Sequence, residues 1–357
     1  MNTVIKDYDL SHNNTFAMRA RCSEWIEFDS VSDLETLMPS VKERKWKVIG
    51  AGSNLLFTGD YDGVILHSNI KGIEFGEPDA EGYSLVRVGS GETLDEVIAT
   101  LASRGLWGAE NLSGIPGEAG AGAVQNVGAY GVEIKDILSC VEAFDTVTNR
   151  MVLFDVNECE YAYRDSRFKH SPDRGRYIIT SVTLRVTRRH EPRLSYGSLD
   201  KVVTNAVPTP VEVREAVIAT RRQKLPEVAV SDKDFADSTD PSAPWPSAAG
   251  SAGSYFKNPI VVPDLYRKIE EMVSPATVPH FFLDNGLVKI PAAWLIEQCG
   301  FKGYRKGNVG VWYKQPLILV NLTGHALPQE IISLERRIVD AVNSRFGILL
   351  TPEVEKV

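Results

Sequence analysis

A mixed α+β class is predicted on three observations. Three helix-opening signatures are spread along the chain, short apolar segments of strand length lie among them, and two amphipathic segments near the C-terminus each run into a glycine. In chain order, Ser32-Asp33-Leu34-Glu35 fits a capping box, in which a hydroxyl and a carboxylate satisfy the first free N–H groups of a helix. KWKVIG at 45–50 follows as a short strand ending in a glycine turn. Thr93-Leu94-Asp95-Glu96 opens a second helix with Gly105 beyond its end, and Thr209-Pro210-Val211-Glu212 a third with Pro at its first position. Further strands are expected at 63–68, 85–90, 139–147, 177–186 and 317–322. PAAWLIEQCG reads as a helix stopped at Gly300, and 327–346 carries the helical period with Gly347 beyond it. The stretch 227–251 is biased to Asp, Ser, Pro and Ala and follows neither period, so it is a mobile lid or a disordered insert. Its composition favours an insert that buries little and is dispensable for folding.

The bulk numbers narrow the function class. With 357 residues, 43% hydrophobic and 24% charged, the chain suits two or three globular domains. A net charge of −8, with basic residues scattered apart from pairs such as Arg221-Arg222 and Arg336-Arg337, argues against a nucleic-acid footprint. The N-terminus lacks a basic segment followed by an apolar run, and no apolar stretch approaches the roughly 20 residues needed to span a bilayer, so a cytoplasmic protein without membrane insertion is expected. Cys22, Cys140, Cys159 and Cys299 are widely spaced with no CxxC, which indicates buried free thiols and no metal site.

Two glycine-rich loops stand out. GAGSNLLF at 50–57 follows a strand, but Leu55 stands where a dinucleotide fingerprint needs its third glycine, and no phosphate-binding G-x-x-x-x-G-K-[ST] occurs. Alone it fits a tight strand-loop turn equally well. The second, from Gly114 to Gly131, is dense in glycine and alanine and almost uncharged. Glycine is entropically costly wherever it is ordered, so such a cluster suggests a backbone that comes close to something large and flat or turns through positive φ. Paired neutral loops of N–H groups suit a pyrophosphate carried by a large dinucleotide.

GAGSNLLF, ENLSGIPGEAGAGAVQNVGAYG, YRDSRFK, GSYFKNP and PEV, in that order from about Asn14 to the C-terminus, closely resemble the motifs of the UDP-N-acetylenolpyruvoylglucosamine reductase (MurB) family, flavoenzymes of peptidoglycan precursor synthesis. The resemblance implies an α+β, two-lobed FAD-binding fold of the vanillyl-alcohol-oxidase (PCMH) type with a C-terminal α+β substrate-binding domain. The expected divisions are 1–70 and 71–224 for the lobes and 225–357 for the substrate domain, the extreme C-terminus packing on the first lobe. It implies non-covalent FAD against Gly50, Gly52, Ser53, Asn54, Leu55, Pro116, Gly117, Gly120, Gly122, Gln125, Asn126, Gly128, Tyr130, Gly131 and Arg164. NADPH is the co-substrate, UDP-N-acetylglucosamine enolpyruvate the substrate, and a monomer is expected.

Reducing an enolpyruvyl ether places hydride on the terminal carbon and a proton on the carbon bearing the carboxylate. That needs a cation for the carboxylate and developing charge, a proton donor opposite the flavin, and polar groups that order both. On the resemblance, Arg164 in YRDSRFK is the cation, its planar fork suited to a carboxylate. Ser254 in GSYFKNP is the proton donor, and Glu353 in TPEV is the glutamate near the substrate carboxylate. Without the resemblance these read as a surface arginine, a turn serine and a solvated tail. Tyr163, Tyr196, Lys224, Asn258, Lys302 and Gln315 are implied in holding the substrate, Tyr196 as the closing tyrosine of the type I branch. The chain departs from the family in carrying Glu355 where an arginine is common, and in ending at Val357 without the usual extension. An oxidase with covalent flavin would want a His or Cys in the glycine loops, and neither loop has one. A nucleotide-sugar-binding protein that had lost catalysis would not need Arg164, Ser254 and Glu353 intact.

Overall fold

The computed structural model describes residues 3–196 and 199–357. Its contacts divide the chain into two compact units, one of residues 1–8, 22–51 and 61–221, the other of 9–21, 52–60 and 222–357.

Two larger sheets and the short pair Gly128–Ala129 with Val132–Glu133 lie among the described residues of the first unit. A four-stranded sheet has the order Thr3–Asp9, Arg21–Phe28, Tyr61–Ser68, Trp46–Val48, the last three pairing in parallel. Parallel neighbours require a crossover, supplied by the helix Val31–Val41. Its cap is Ser30, whose side chain accepts from the Asp33 N–H, and not the expected Ser32. Leu34, Met38 and Val41 fall at helical spacing and pack with Ile26, Phe28, Val64 and Leu66. The second sheet is antiparallel, in the order Arg150–Asp155, Leu138–Asp145, Tyr177–Thr187, Tyr83–Gly89, Ile73–Phe75. Helices Leu94–Ser103 and Ala119–Gln125 cover it, burying Leu94, Val97, Ile98 and Leu101 against Val86, Val141, Val182 and Leu184. Thr93 heads the first of these helices without making the expected side-chain cap. The Thr209 box does form: Thr209 Oγ1 accepts from the Glu212 N–H at 3.2 Å, and Glu212 accepts from the Thr209 N–H at 2.7 Å. It opens Pro210–Lys224.

The second unit is built of short ladders and three helices. Arg305–Lys306, Val309–Val311 and Leu319–Asn321 form one antiparallel sheet, and Ile260–Val261, Val288–Lys289 and Phe281–Phe282 another. Pro328–Phe346 presents Ile331, Leu334, Ile338, Val342 and Phe346 to the core, and ends at Gly347 in the left-handed conformation with φ 67°. Ala292–Gln298 ends just before Gly300, as expected.

The stretch 227–251 departs from expectation. Glu227–Val228 pairs in parallel with Ala248–Ala249, and Gly250 exchanges two backbone hydrogen bonds with Asn321, at 3.0 and 2.8 Å. Ala249 is fully buried, Trp245 packs edge-on against Trp312 at 5.2 Å, and Ala236 donates its N–H to the Leu322 carbonyl. The segment has no period because it is neither helix nor long strand, yet single apolar residues within it reach the core. Its residues 228–235 also wall a cleft of about 910 Å³ whose other side carries Asp9, His12, Arg19 and Asp60.

Candidate functional site

In the first unit the two glycine loops meet. A Cβ on Gly50 would lie 3.0 Å from Ala121 Cβ and 3.1 Å from Glu118 Oε2, so the loop after Trp46–Val48 runs tightly against the loop of Gly117–Gly122 and a side chain there would have to push its neighbours aside. A Cβ on Gly120 would sit 2.7 Å from Ser90 Cβ, while one on Gly122 would find only ordinary contacts near 3.4 Å. Some glycines expected to face a cofactor are thus already required by packing inside the protein. Gly131, at φ 80°, lies against the Cβ of Tyr196. Gly197, next to Tyr196 in the sequence, lies outside the described residues. The cradle that Gly50 and Gly117–Gly122 share carries one charged side chain, Glu118, and its bare backbone fits a bulky cofactor with a diphosphate. His67 reaches this loop from the parallel sheet, Nε2 2.8 Å from Glu118 Oε1, its ring stacked on Trp25.

Asn126 ends the helix Ala119–Gln125 in the left-handed conformation and is fully buried. Its Nδ2 donates to the Ala162 carbonyl at 2.8 Å and to Glu133 Oε2 at 3.0 Å, joining the glycine loop to the YRDS segment. Arg164, itself at positive φ, donates from Nη2 to the Gly128 carbonyl at 2.6 Å, with Nη1 3.6 Å from Glu133 Oε1. Lys169 Nζ donates to Gln125 Oε1 at 2.6 Å and to the Arg164 carbonyl at 2.9 Å. Glu133 and Lys169 went unnoticed in the sequence. Lys169 ends the quoted YRDSRFK, whereas Glu133 had no signal beyond following Gly131 by two positions. Tyr163 is half-buried, its ring 5.2 Å from the Arg164 guanidinium. Tyr130 packs toward Trp107, Leu199 and Val213, and burial pushes its phenol up. Arg221 is largely buried, which lowers its pKa, with its Nε close to Gly114.

In the second unit Ser254 and Glu353 come onto paired segments. Tyr255 donates its N–H to the Leu317 carbonyl at 2.8 Å, and Ser254 bridges Ile318 on that side. On the other side the Glu353 N–H donates to the Tyr255 carbonyl at 2.8 Å and Lys257 donates to Thr351 at 2.9 Å. The Glu353 carbonyl accepts from Asn54 Nδ2 at 3.3 Å, and the Glu355 N–H donates to the Asn54 carbonyl at 3.0 Å. Glu355–Lys356 continues in parallel with Leu55–Leu56, so the tail that composition alone reads as solvated is a strand. Gly52, at φ 64°, turns so close to the Asn13 carbonyl that no side chain fits there. Ser53 lies half-buried beside it.

Beneath Ser254, the Tyr255 hydroxyl donates to Glu335 Oε2 at 2.6 Å, and Lys356 Nζ lies 2.8 Å from the same carboxylate. Burial, then the carboxylate, raises the Tyr255 phenol far above its ordinary value. Asn258 accepts from the Ala292 N–H at 2.9 Å and so caps Ala292–Gln298. Lys302 pairs with Glu297 at 2.8 Å on the surface, and Lys224 is exposed at the end of its helix. Gln315 sits in a turn whose Ile318 N–H donates to its carbonyl at 3.0 Å. The four cysteines are free thiols, Cys22 and Cys159 buried and the others half-buried. Among the described residues, no group of three His, Cys, Asp or Glu could hold a metal ion, and no helix is long and apolar enough to cross a membrane.

Comparison with known proteins bears on both units. Residues 25–151 match a family model described as FAD binding domain, and 245–357 match UDP-N-acetylenolpyruvoylglucosamine reductase, C-terminal domain. A UDP-N-acetylenolpyruvoylglucosamine reductase of Porphyromonas gingivalis is 38% identical over 358 residues, covering 99% of both chains. One from Cupriavidus pinatubonensis is 39% identical over 350 residues, covering 97% of both. One from Bacteroides fragilis is 38% identical over 349 residues, covering 97% of this chain and 98% of its own. The crystal structure of UDP-N-acetylenolpyruvylglucosamine reductase from Thermus caldophilus is similar in fold, with a TM-score of 0.64 at 23% identity, over 100% of this chain and 98% of that one.

Proposed function

The chain belongs to the UDP-N-acetylenolpyruvoylglucosamine reductase family, and from that premise we propose how its own side chains carry the family's reaction. The protein is an FAD-dependent oxidoreductase that reduces UDP-N-acetylglucosamine enolpyruvate with NADPH, a step of peptidoglycan synthesis. Bound FAD supplies the hydride relay from NADPH to the enolpyruvyl group.

Gly50, Gly52, Ser53, Asn54, Leu55, Pro116, Gly117, Gly120, Gly122, Gln125, Asn126, Gly128, Tyr130, Gly131 and Arg164 hold the cofactor. Arg164 binds the substrate carboxylate. Its guanidinium is oriented by the Gly128 carbonyl and Glu133, which leaves the planar fork little freedom to lose on binding. Ser254 gives the proton and Glu353 orders the groups around it. Lys224, Asn258, Lys302 and Gln315 hold the diphosphate, Tyr196 closes over the substrate, and Tyr163 also binds it. The protein acts as a monomer in the cytoplasm.

One observation carries this reading: the backbone of Glu353 bonds at once to the Ser254 segment, through the Tyr255 carbonyl, and to the Gly52–Leu55 loop, through Asn54. A single residue thereby fixes the proton-donating segment against a cofactor loop. The test is anaerobic and follows the two halves separately. NADPH should bleach the yellow protein in both wild type and Ser254→Ala. Substrate should then restore the colour quickly in wild type and about 10²- to 10⁴-fold more slowly in the variant. Equal loss in both halves, or loss in neither, would sink Ser254 as donor.

A further inference from the structure

From the stretch 229–247, Trp245 packs, partly buried, on the core cluster of Ala249, Trp312, Ile318, Val320 and Leu322. Its ring lies 5.2 Å from Trp312 at 84°, and 5.1 Å from Tyr313. The Arg305 guanidinium stands 5.0 Å from the centre of the same ring and donates from Nη1 to the Ala243 carbonyl at 2.5 Å. Arg305 is 8% exposed, and its buried Nε and Nη2 have no hydrogen-bond partner, so the ring and the nearby Asp240 carboxylate are left to offset that charge. A Cβ on Gly310 would be 3.4 Å from the edge of Trp245, an ordinary contact that places the ring beside the strand Val309–Val311.

Trp312 and Tyr313 are the first residues of a tight turn. The Trp312 N–H donates to the Ile318 carbonyl at 2.8 Å, Gln315 donates back to Trp312 at 3.3 Å, and the Gln315 side chain accepts from Leu317 at 3.4 Å. The returning limb of that turn is the one that accepts from Tyr255 and bridges Ser254. An unbroken set of contacts therefore runs from Trp245, through Trp312 and Tyr313, to Gln315 and Ser254.

We propose that Trp245 is a positioning residue for the proton-transfer half of the reaction: seated on Trp312 and Tyr313, it sets the turn that presents Gln315 and backs the segment carrying Ser254. The proposal rests on the assignment of Ser254 and Gln315 made above. A displacement of about 1 Å at a reacting group costs on the order of 10²-fold in rate, so loss of the ring acts at a distance without touching substrate.

The experiment uses full-length flavin-loaded protein with Trp245→Ala, Trp245→Leu and Trp245→Phe, and Ser254→Ala in parallel. Flavin content and the rate of bleaching by NADPH should stay within about twofold of wild type. Reoxidation by the enolpyruvyl substrate should slow about 10- to 100-fold in the Ala variant, and calorimetry should show weaker binding of UDP-N-acetylglucosamine. Trp245→Phe, which keeps a ring on Trp312, should recover most of both. If the Ala variant does not fold, Trp245→Leu keeps the apolar volume and should show the same split. Equal slowing of both halves, or unchanged reoxidation in a soluble Leu or Ala variant while Ser254→Ala is slow, would overturn the positioning role. If Ser254→Ala reoxidises normally, the site assignment itself fails and this proposal with it.

Discussion

Gly120 and Gly122 lie two positions apart in one short helix, yet substitution should move them in opposite directions. A methyl on Gly120 must displace Ser90, whose carbonyl also accepts the Gly120 N–H at 3.0 Å, so Gly120→Ala should cost about 1–3 kcal/mol. Gly122→Ala meets only ordinary contacts and gains helix propensity, so it should be neutral or stabilise by up to about 1 kcal/mol. Urea unfolding of the apoprotein measures both. If Gly122→Ala folds well but loses the yellow colour, that glycine is kept for the cofactor's approach and not for packing. From the sequence, all the glycines between 114 and 131 looked alike, because the difference lies in Ser90 and Leu94, which are distant in the chain. Arg164 and Ser254 are proposed on their motifs. Glu133, which helps to hold both Arg164 and Asn126, carried no motif and could be found only from the fold.

At the scale of elements, long regular segments were legible because their period repeats. Tyr177–Thr187 and Pro328–Phe346 match the expected spans closely, and Gly347 takes its left-handed cap. The segment 227–251 was not legible, since its buried residues are the small run Ala248 to Ser251 and its partners, Asn321 and Trp312, lie far along the chain. Replacing 230–246 by a short flexible link should therefore destabilise the protein. The parallel pair Glu227–Val228 and Ala248–Ala249 needs its crossover, and Arg305 would lose Trp245 and the Ala243 carbonyl. Thermal unfolding should show a clear loss, and an unchanged melting temperature would show the segment to be inert. A second element-scale prediction concerns the turn after Leu138–Asp145. Asp145 accepts a two-pronged bond from Arg176, at 3.0 and 2.7 Å, and one each from Val147 and Thr148. These hold its carboxyl at about 2, below the ordinary 3.8. Since the folded value is the lower, the stabilisation is fully present above about pH 4 and is lost as pH falls through 2. Asp145→Asn should lower stability by about 1–2 kcal/mol at neutral pH, and the gap from wild type should close in urea titrations near pH 2.

For the molecule as a whole, Glu353 was the residue whose sequence context said least, and the tertiary fold explains why. Its setting comes from Asn54, Leu55 and Thr58, against which the C-terminal strand is laid: Thr58 donates both its N–H and its hydroxyl to the Val357 carbonyl, each at 2.8 Å. Removing 355–357 should free Glu353 and release Glu335 from Lys356, so activity should fall about 10-fold or more and the melting temperature should drop. Full activity in that truncated protein would show the strand to be ornamental. The same pairing has a bearing on synthesis. Thr58 and Val357 stand 299 positions apart, so at a ribosome's pace of about 5–20 residues per second some 15–60 s separate their emergence. Throughout that interval Leu56 and Phe57, fully buried once folded, and Phe16, whose carbonyl awaits Asn321, lack the neighbours that will cover them. The nascent chain thus carries two early apolar stretches with late partners. It is there that a chaperone should hold it, and it is through them that a prematurely released chain should aggregate.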